Sequence, residues 1–329
     1  MSTAPGMNDA LHAALARVAP GTPLRDGIDR VVRAKMGALI VVSDEPRVLE
    51  ICSGGFLLDA EYTPQRLSEL AKMDGAIILS SDGSRIARAN VHLVPDPTVP
   101  TSETGTRHRT AERVALSLDV PVVSVSEEMS VINIYAGGVR QPLQDISRLL
   151  DRANQALQTL ERYREKLSDA ASTLTSLEVE DVVTRRDVQA VLQRGAMVRE
   201  IAAEIEMMIV ELGVDARLLR LQLDEAFNSL DDELDFVIAD YPELATDLHD
   251  HSNPDGPVAP KGLRLLSRVP RLAPATAHAI AEHFGELPRL LRATADEIAA
   301  VPGVGVRTGH AVKDTLERLT ESTILDQYI

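Results

Sequence analysis

A change of hydrophobic period near Pro142 constrains this chain more than any other feature. Up to about residue 145, short β-branched and aliphatic runs alternate with helical stretches, the pattern of an α/β domain. From Pro142 to about Tyr241 the apolar residues recur with the helical period instead. Leu149, Leu150, Ala153, Leu157, Leu160 and Leu167 form one stripe, and Val182, Val188, Val198, Ile205 and Leu212 continue it. Gly213 is a natural stop, and Leu218–Tyr241 makes a further helix or pair. His249–Pro260, with three prolines and a glycine, reads as a linker. Three domains are predicted: an α/β domain over 1–145, an all-α bundle over 146–256 and an all-α domain over 257–329.

Composition narrows the class. At 329 residues and 44% hydrophobic the chain can bury real cores, but 3% aromatics and no Trp make those cores aliphatic. Cys52 is the sole cysteine, which excludes an internal disulfide and any cysteine-based zinc cluster and fits a reducing cytoplasm. Met1–Asp9 has no basic region followed by an apolar stretch, so a secretory signal is not expected. The longest strongly apolar runs, such as Ala38–Val42, are strand-sized, far from the roughly 20 residues of a membrane helix, so no membrane partner is expected. The net charge is −16 and sits mainly in the middle: residues 146–255 carry 11 Lys/Arg against 24 Asp/Glu. Residues 256–329 carry 9 against 8 and escape that acidity, so a nucleic-acid contact belongs there.

In the first domain the pattern predicts a helix over 24–35, then strands at Ala38–Val42 and Val48–Ile51. A helix runs from Thr63-Pro64 to Lys72, followed by a strand at Ala76–Leu79, a hairpin at Asp82-Gly83 and a strand at Arg85–Val94. A loop with three prolines, Pro95–Gly105, precedes a helix over Thr106–Leu118. Strands at Val120–Val125 and Ser130–Tyr135 lead to Gly137-Gly138.

Two short motifs carry chemistry. Asp74-Gly75-Ala76 puts a carboxylate on a tight turn at the head of a strand; alone, such a string marks only a turn. Thr106-Arg107-His108-Arg109-Thr110 opens a helix with two guanidiniums, an imidazole and two hydroxyls, Thr106 standing at the N-cap. Backbone N–H groups and the helix dipole already attract anions there and disfavour cations, so a bound anion explains the arginines. The plain alternative is a solvated basic turn, with Glu103, Glu112 or Glu127 pairing with the arginines.

The C-terminal segment repeats itself. Leu266–Ile280 aligns with Ile298–Val312, and Pro270 and Pro302 stand 32 positions apart. Each copy reads as helix, short hairpin, helix. In the second, Gly303-Val304-Gly305 lets bare backbone approach a phosphate, with Arg307, Thr308 and Lys313 beside the next helix start. The first hairpin departs from this, with Arg271-Leu272-Ala273. His92, His249, His251, His278, His283 and His310 share no ligand spacing and read as structural or surface residues.

The order Asp-Gly-Ala, strand, proline-rich loop, Arg-His-Arg, strand, Ser126-Glu127-Glu128 resembles the diadenylate cyclase domain. With the helical middle and the tandem hairpins, the whole chain resembles the DNA integrity scanning family of these enzymes. The resemblance implies a mixed sheet, ATP as substrate and cyclic di-AMP as product. It implies that Asp74 binds Mg²⁺ or Mn²⁺ and activates a 3′-hydroxyl. Gly75, Ala76 and Leu93 would line the nucleoside pocket, and Thr106, Arg107, His108, Arg109 and Thr110 would hold phosphates. It further implies a homo-octamer of two tetramers meeting through their cyclase faces, associated with the nucleoid. Branched or bent DNA would bind at Gly303, Val304, Gly305, Arg307 and Thr308. A non-catalytic nucleotide-sensing DNA scaffold is the rival reading; the retained Asp74 and the arginine pair count against it. A nuclease would want several clustered acids, and only Asp74 with Glu127 or Glu128 offers itself.

Overall fold

The computed structural model describes residues 5–246 and 253–326; His249 and His251, with part of the expected linker, lie outside them. The chain divides into two compact units. One comprises residues up to Asn154 with Glu206–Arg220, the other Gln155–Ile205 with Leu221 onward.

In the first unit, α1 (Pro5–Val18) and α2 (Pro23–Arg33) precede β1 (Ala38–Val42), α3 (Pro46–Glu50), β2 (Cys52–Ser53) and β3 (Phe56–Glu61). Then come α4 (Pro64–Leu70), β4 (Ala76–Leu79), β5 (Arg85–Leu93), α5 (Thr106–Leu118), β6 (Val122–Val125), β7 (Ile132–Ala136) and β8 (Val139–Pro142). Thr22 and Thr63 start α2 and α4 by accepting the amides of Arg25 and Arg66, and a proline fills the first turn of each. The sheet runs β2-β5-β4-β1-β6-β7-β8, with β3 also on β5. β1 and β4 are parallel and the other pairings antiparallel, so the sheet is mixed.

Both faces of the central strands are covered. Ile40 and Val42 pack with Leu15, Ile28 and Leu67 of α1, α2 and α4, while Leu39 and Val41 pack with Val48, Ala111 and Val114 of α3 and α5. That is why Ala38–Val42 reads as a continuous apolar run rather than an alternating one.

The expected strand at Val48–Ile51 is instead α3 and the residue after it. Pro46 sets a helical φ and Val48 drops fully into the core; pairing with β5 starts only at Cys52. The elements that went unpredicted include α1, β8 and β3, whose Phe56, Leu57 and Leu58 are all exposed and carry no alternation.

The middle helices are α6 (Ile146–Glu180), α7 (Arg185–Leu212) and α8 (Arg217–Asp240). Gly213, at φ +55°, ends α7 and opens a 3-10 turn. Next come α9 (Pro242–Thr246), α10 (Leu263–Ser267), α11 (Pro274–Phe284), α12 (Leu287–Arg292), α13 (Ala295–Ala299) and α14 (Val306–Asp326). The hairpin units α10–α11 and α13–α14 share a core including Leu266, Val269, Ile280, Leu290, Ile298, Val301 and Val312. The second unit also buries a charged cluster. Arg264 of α10 donates to Glu178, Thr175 and the Ala171 carbonyl of α6, Tyr241 donates to Glu178, and Asp240 accepts the amides of Leu263 and Arg264. Among the described residues no helix is long and apolar enough to cross a membrane.

Candidate active site and DNA interface

The loops at the starts of β1 and β4 and at the ends of β5 and β6 meet the N-terminus of α5 around a cavity of about 750 Å³. Asp74, Gly75, Ala76, Leu93, Thr106, Arg107, His108 and Thr110 all line it, so residues 32 positions apart in sequence, such as Asp74 and Thr106, share one wall. Arg109, predicted with them, is exposed and is not among the lining residues. On a helix, a residue between two inward neighbours points away from their face.

The Asp74 carboxylate is fully exposed, and the Arg107 guanidinium reaches it at 3.6 Å. Arg107 is itself held close to the backbone of Gly37, where a Cβ would lie 2.1 Å from its Nη1. Gly75 is required for a similar reason: a Cβ there would lie 2.5 Å from the backbone of Asn90. Thr106 proves to be the first helical residue; Gly105 takes the N-cap and supplies no side-chain acceptor. The first-turn amides are thus without a side-chain cap at the cavity wall. Thr110 donates its hydroxyl to the Thr106 carbonyl at 3.0 Å.

The expected glutamate partners of the arginines have other duties. Glu103 accepts from Tyr135 Oη and Arg140 Nη1, each at 3.0 Å, and Glu112 accepts from Thr101 and Ser102. Glu127 and Glu128 are exposed at the cavity. His108 is half-buried. Burial lowers its pKa below the ordinary histidine value, Arg140 and Arg107 lower it further, and Glu103 opposes them. Burial, then the bond to Glu103, pushes the Tyr135 hydroxyl well up, so it stays a donor.

Sequence reasoning missed Gly37, Glu103 and Arg140 as wall residues, and read His92, which also lines the cavity, as structural or surface. A signal for Arg140 existed. The Gly137-Gly138 turn sets a two-residue hairpin, and that register pairs Arg140 with Tyr135.

The second unit carries the glycine hairpin between α13 and α14. Gly303 adopts φ +86°, and a Cβ at Gly303 or Gly305 would meet nothing within 4 Å, so both have open space before them. Val304 is buried in the core and offers only its backbone; Arg307 is exposed and Thr308 half-buried on the first turn of α14. Lys313, read as part of this patch, instead donates to the Leu291 carbonyl. Arg271, one repeat before Gly303, holds φ +63° without being glycine.

The chain is similar to known proteins over nearly its whole length. Residues 25–140 match the family model "DisA bacterial checkpoint controller nucleotide-binding", 143–253 match its linker region, and 263–318 match "SAM-like Helix-hairpin-helix tandem". The DNA integrity scanning protein DisA of Streptomyces coelicolor is 47% identical, covering 98% of this chain and 96% of its own. That of Frankia alni is 48% identical over 100% of both. A crystal structure of DacA from Staphylococcus aureus is 25% identical with a TM-score of 0.30, covering 41% of this chain and 87% of that one. The chain belongs to the family of DNA integrity scanning proteins: a diadenylate cyclase whose nucleotide-binding domain precedes a DNA-binding helix-hairpin-helix domain.

Proposed function

We propose that the protein condenses two ATP molecules into cyclic di-AMP and two pyrophosphates. The supporting observation is one open cavity that gathers an exposed carboxylate, a nucleoside-sized wall and an uncapped helix N-terminus bearing Arg107. Thr106, Arg107, His108 and Thr110 hold the phosphates, and Gly75, Ala76 and Leu93 flank the nucleoside. Arg109 lies outside that wall and adds only an exposed charge to the helix start.

Each domain takes one ATP, and two domains face each other. The 3′-hydroxyl oxygen of one nucleotide attacks the α-phosphorus of the other, the bond from that phosphorus to the β-phosphate oxygen breaks, and pyrophosphate leaves with its charge met by Arg107. The hydroxyl proton passes to a base at Asp74 or to water, and the reciprocal step closes the ring. Positioning and electrostatics supply most of the acceleration. Among the described residues no group of three or more His, Cys, Asp or Glu could hold a metal alone. One exposed carboxylate nevertheless suits Mg²⁺ or Mn²⁺ that draws its other oxygens from phosphate and water. Asp74 would hold that ion, which supplies charge neutralisation at the reacting phosphate.

The facing arrangement fits assembly as an octamer in the cytoplasm, near the nucleoid. Its C-terminal hairpins grip the backbone of branched or bent DNA, so that cyclase output reports DNA integrity. Incubation of the pure protein with ATP and Mg²⁺ or Mn²⁺ tests the reading: cyclic di-AMP and two equivalents of pyrophosphate are expected. ATP bound but never turned over would favour the nucleotide-sensing scaffold.

A further inference from the structure

Strand β5 slips its register against β4 twice, and the slip nearer the cavity carries the argument. Against β4, Ala76 pairs with Val91 but Ile78 pairs with Arg88, so Ala89 and Asn90 together oppose Ile77. This is a β-bulge, and Asn90 sits in it at φ +54°. Asparagine is among the few non-glycine residues that take this conformation readily.

Two glycines clasp the bulge. On one flank a Cβ at Gly75 would lie 2.5 Å from both Cα and C of Asn90 and 2.7 Å from its Oδ1. On the other, a Cβ at Gly55 would lie 2.6 Å from the Ala89 carbonyl oxygen and 2.8 Å from that of Asn90. The turn that carries Asp74 therefore rests directly on the backbone of Asn90. The same bulge sets the phase of β5 where it enters the cavity. Beyond it Val91 and Leu93 are buried, while His92 between them is exposed, and all three line the wall.

We infer that Asn90 is a positioning residue: its left-handed bulge fixes the Asp74-Gly75 turn against the Leu93 wall, and so aligns carboxylate with nucleoside. The inference rests on the proposed role of Asp74. Nothing in it requires the Asn90 side chain to touch substrate. Backbone conformation is the active property, which makes it separable from a side-chain contact.

The test compares Asn90→Gly, which keeps the left-handed φ at no steric cost, with Asn90→Val, which opposes it. Turnover, ATP affinity by calorimetry and Mn²⁺ affinity in the presence of a non-reactive ATP analogue are measured on the full chain, beside Asp74→Asn. Asn90→Val is expected to lower kcat at least tenfold and to weaken Mn²⁺ binding, with ATP affinity within about threefold of the parent. Asn90→Gly should restore both to within about threefold. If Asn90→Val does not fold, Asn90→Ala takes its place. Wild-type kcat and Mn²⁺ affinity in the Val or Ala variant, while Asp74→Asn is inactive, would overturn the inference and leave the cyclase reading intact. A loss in Asn90→Gly equal to that in Asn90→Val would also overturn it, because the side chain would then be the agent. Full turnover by Asp74→Asn would instead remove the reading on which it stands.

Discussion

Arg107 and Asp74 stand together at the cavity wall with 3.6 Å between guanidinium and carboxylate. The group proposed for the cation and the group proposed for the anion thus partly neutralise each other. Asp74→Asn should therefore split two effects. Cyclic di-AMP synthesis should fall by roughly 10² or more, the scale of metal and acid–base contributions. ATP affinity measured without divalent metal should hold or rise, since a negative charge has left and Arg107 is released. Weaker metal-free ATP binding would mean that Asp74 orders the pocket rather than serving the metal.

The two arginines should be unequal. Arg107 lines the cavity and Arg109 does not. Arg107→Ala is expected to weaken ATP binding by about tenfold or more, the loss of a charge-assisted contact of about 1.5–3 kcal/mol. Arg109→Ala should cost no more than about threefold, as exposed charges do. Titration of ATP into both variants decides, and equal losses would put Arg109 on the phosphates.

His108 gives a pH test. Its pKa in the folded protein is lowered, chiefly by burial. The unfolded chain then binds more protons, so the contribution to stability is present above the unfolded value, near 6.5, and is lost as the pH falls below it. His108→Gln should flatten the decline of cyclase-domain melting temperature as the pH falls below about 6.5. Parallel declines in parent and variant would assign the acid sensitivity elsewhere.

The buried pair of the second unit should show strong coupling. Burial pushes the Glu178 carboxyl up, and the Arg264 guanidinium and Tyr241 hydroxyl pull it back. Arg264→Met leaves that carboxyl without its cation and should cost about 3–5 kcal/mol, whereas adding Glu178→Leu should recover much of the loss. Chemical denaturation of the two singles and the double measures it; additive losses would deny the coupling. Removal of residues 257–329 takes Arg264 away as well, so a clean test of DNA binding needs point changes in the hairpins.

For those hairpins, the double variant Gly303→Ala/Gly305→Ala should weaken DNA binding about tenfold at fixed salt, with little change in base preference. Arg271→Gly should leave affinity within about threefold, since that hairpin already holds the left-handed turn. Unchanged affinity in the double variant would place the DNA contact elsewhere.

Much of this was legible in sequence where local chemistry and packing agree. The helix Thr106–Leu118 and the strands Ala38–Val42 and Ala76–Leu79 fall on the residues expected. Val48–Ile51 misled because β-branched residues suit strands, while the proline two positions earlier had already started a helix. Of the site, the two motifs were visible because each is contiguous. Glu103, Arg140, Gly37 and Asn90 were not, because their roles depend on strand register and on close backbone approach across the sheet. Exposure of Arg109 beside half-buried Arg107 needed the helix to be placed on its neighbours, which a motif does not do.

The bond from Arg264 to Glu178 also has a mechanical consequence. It is buried, reinforced from Thr175 and Tyr241, and joins the first helix of the hairpin repeat to the last turns of α6. That helix therefore has no swivel of its own there. A load taken up through α10 is delivered to α6 at Thr175 and Glu178 as through a riveted joint.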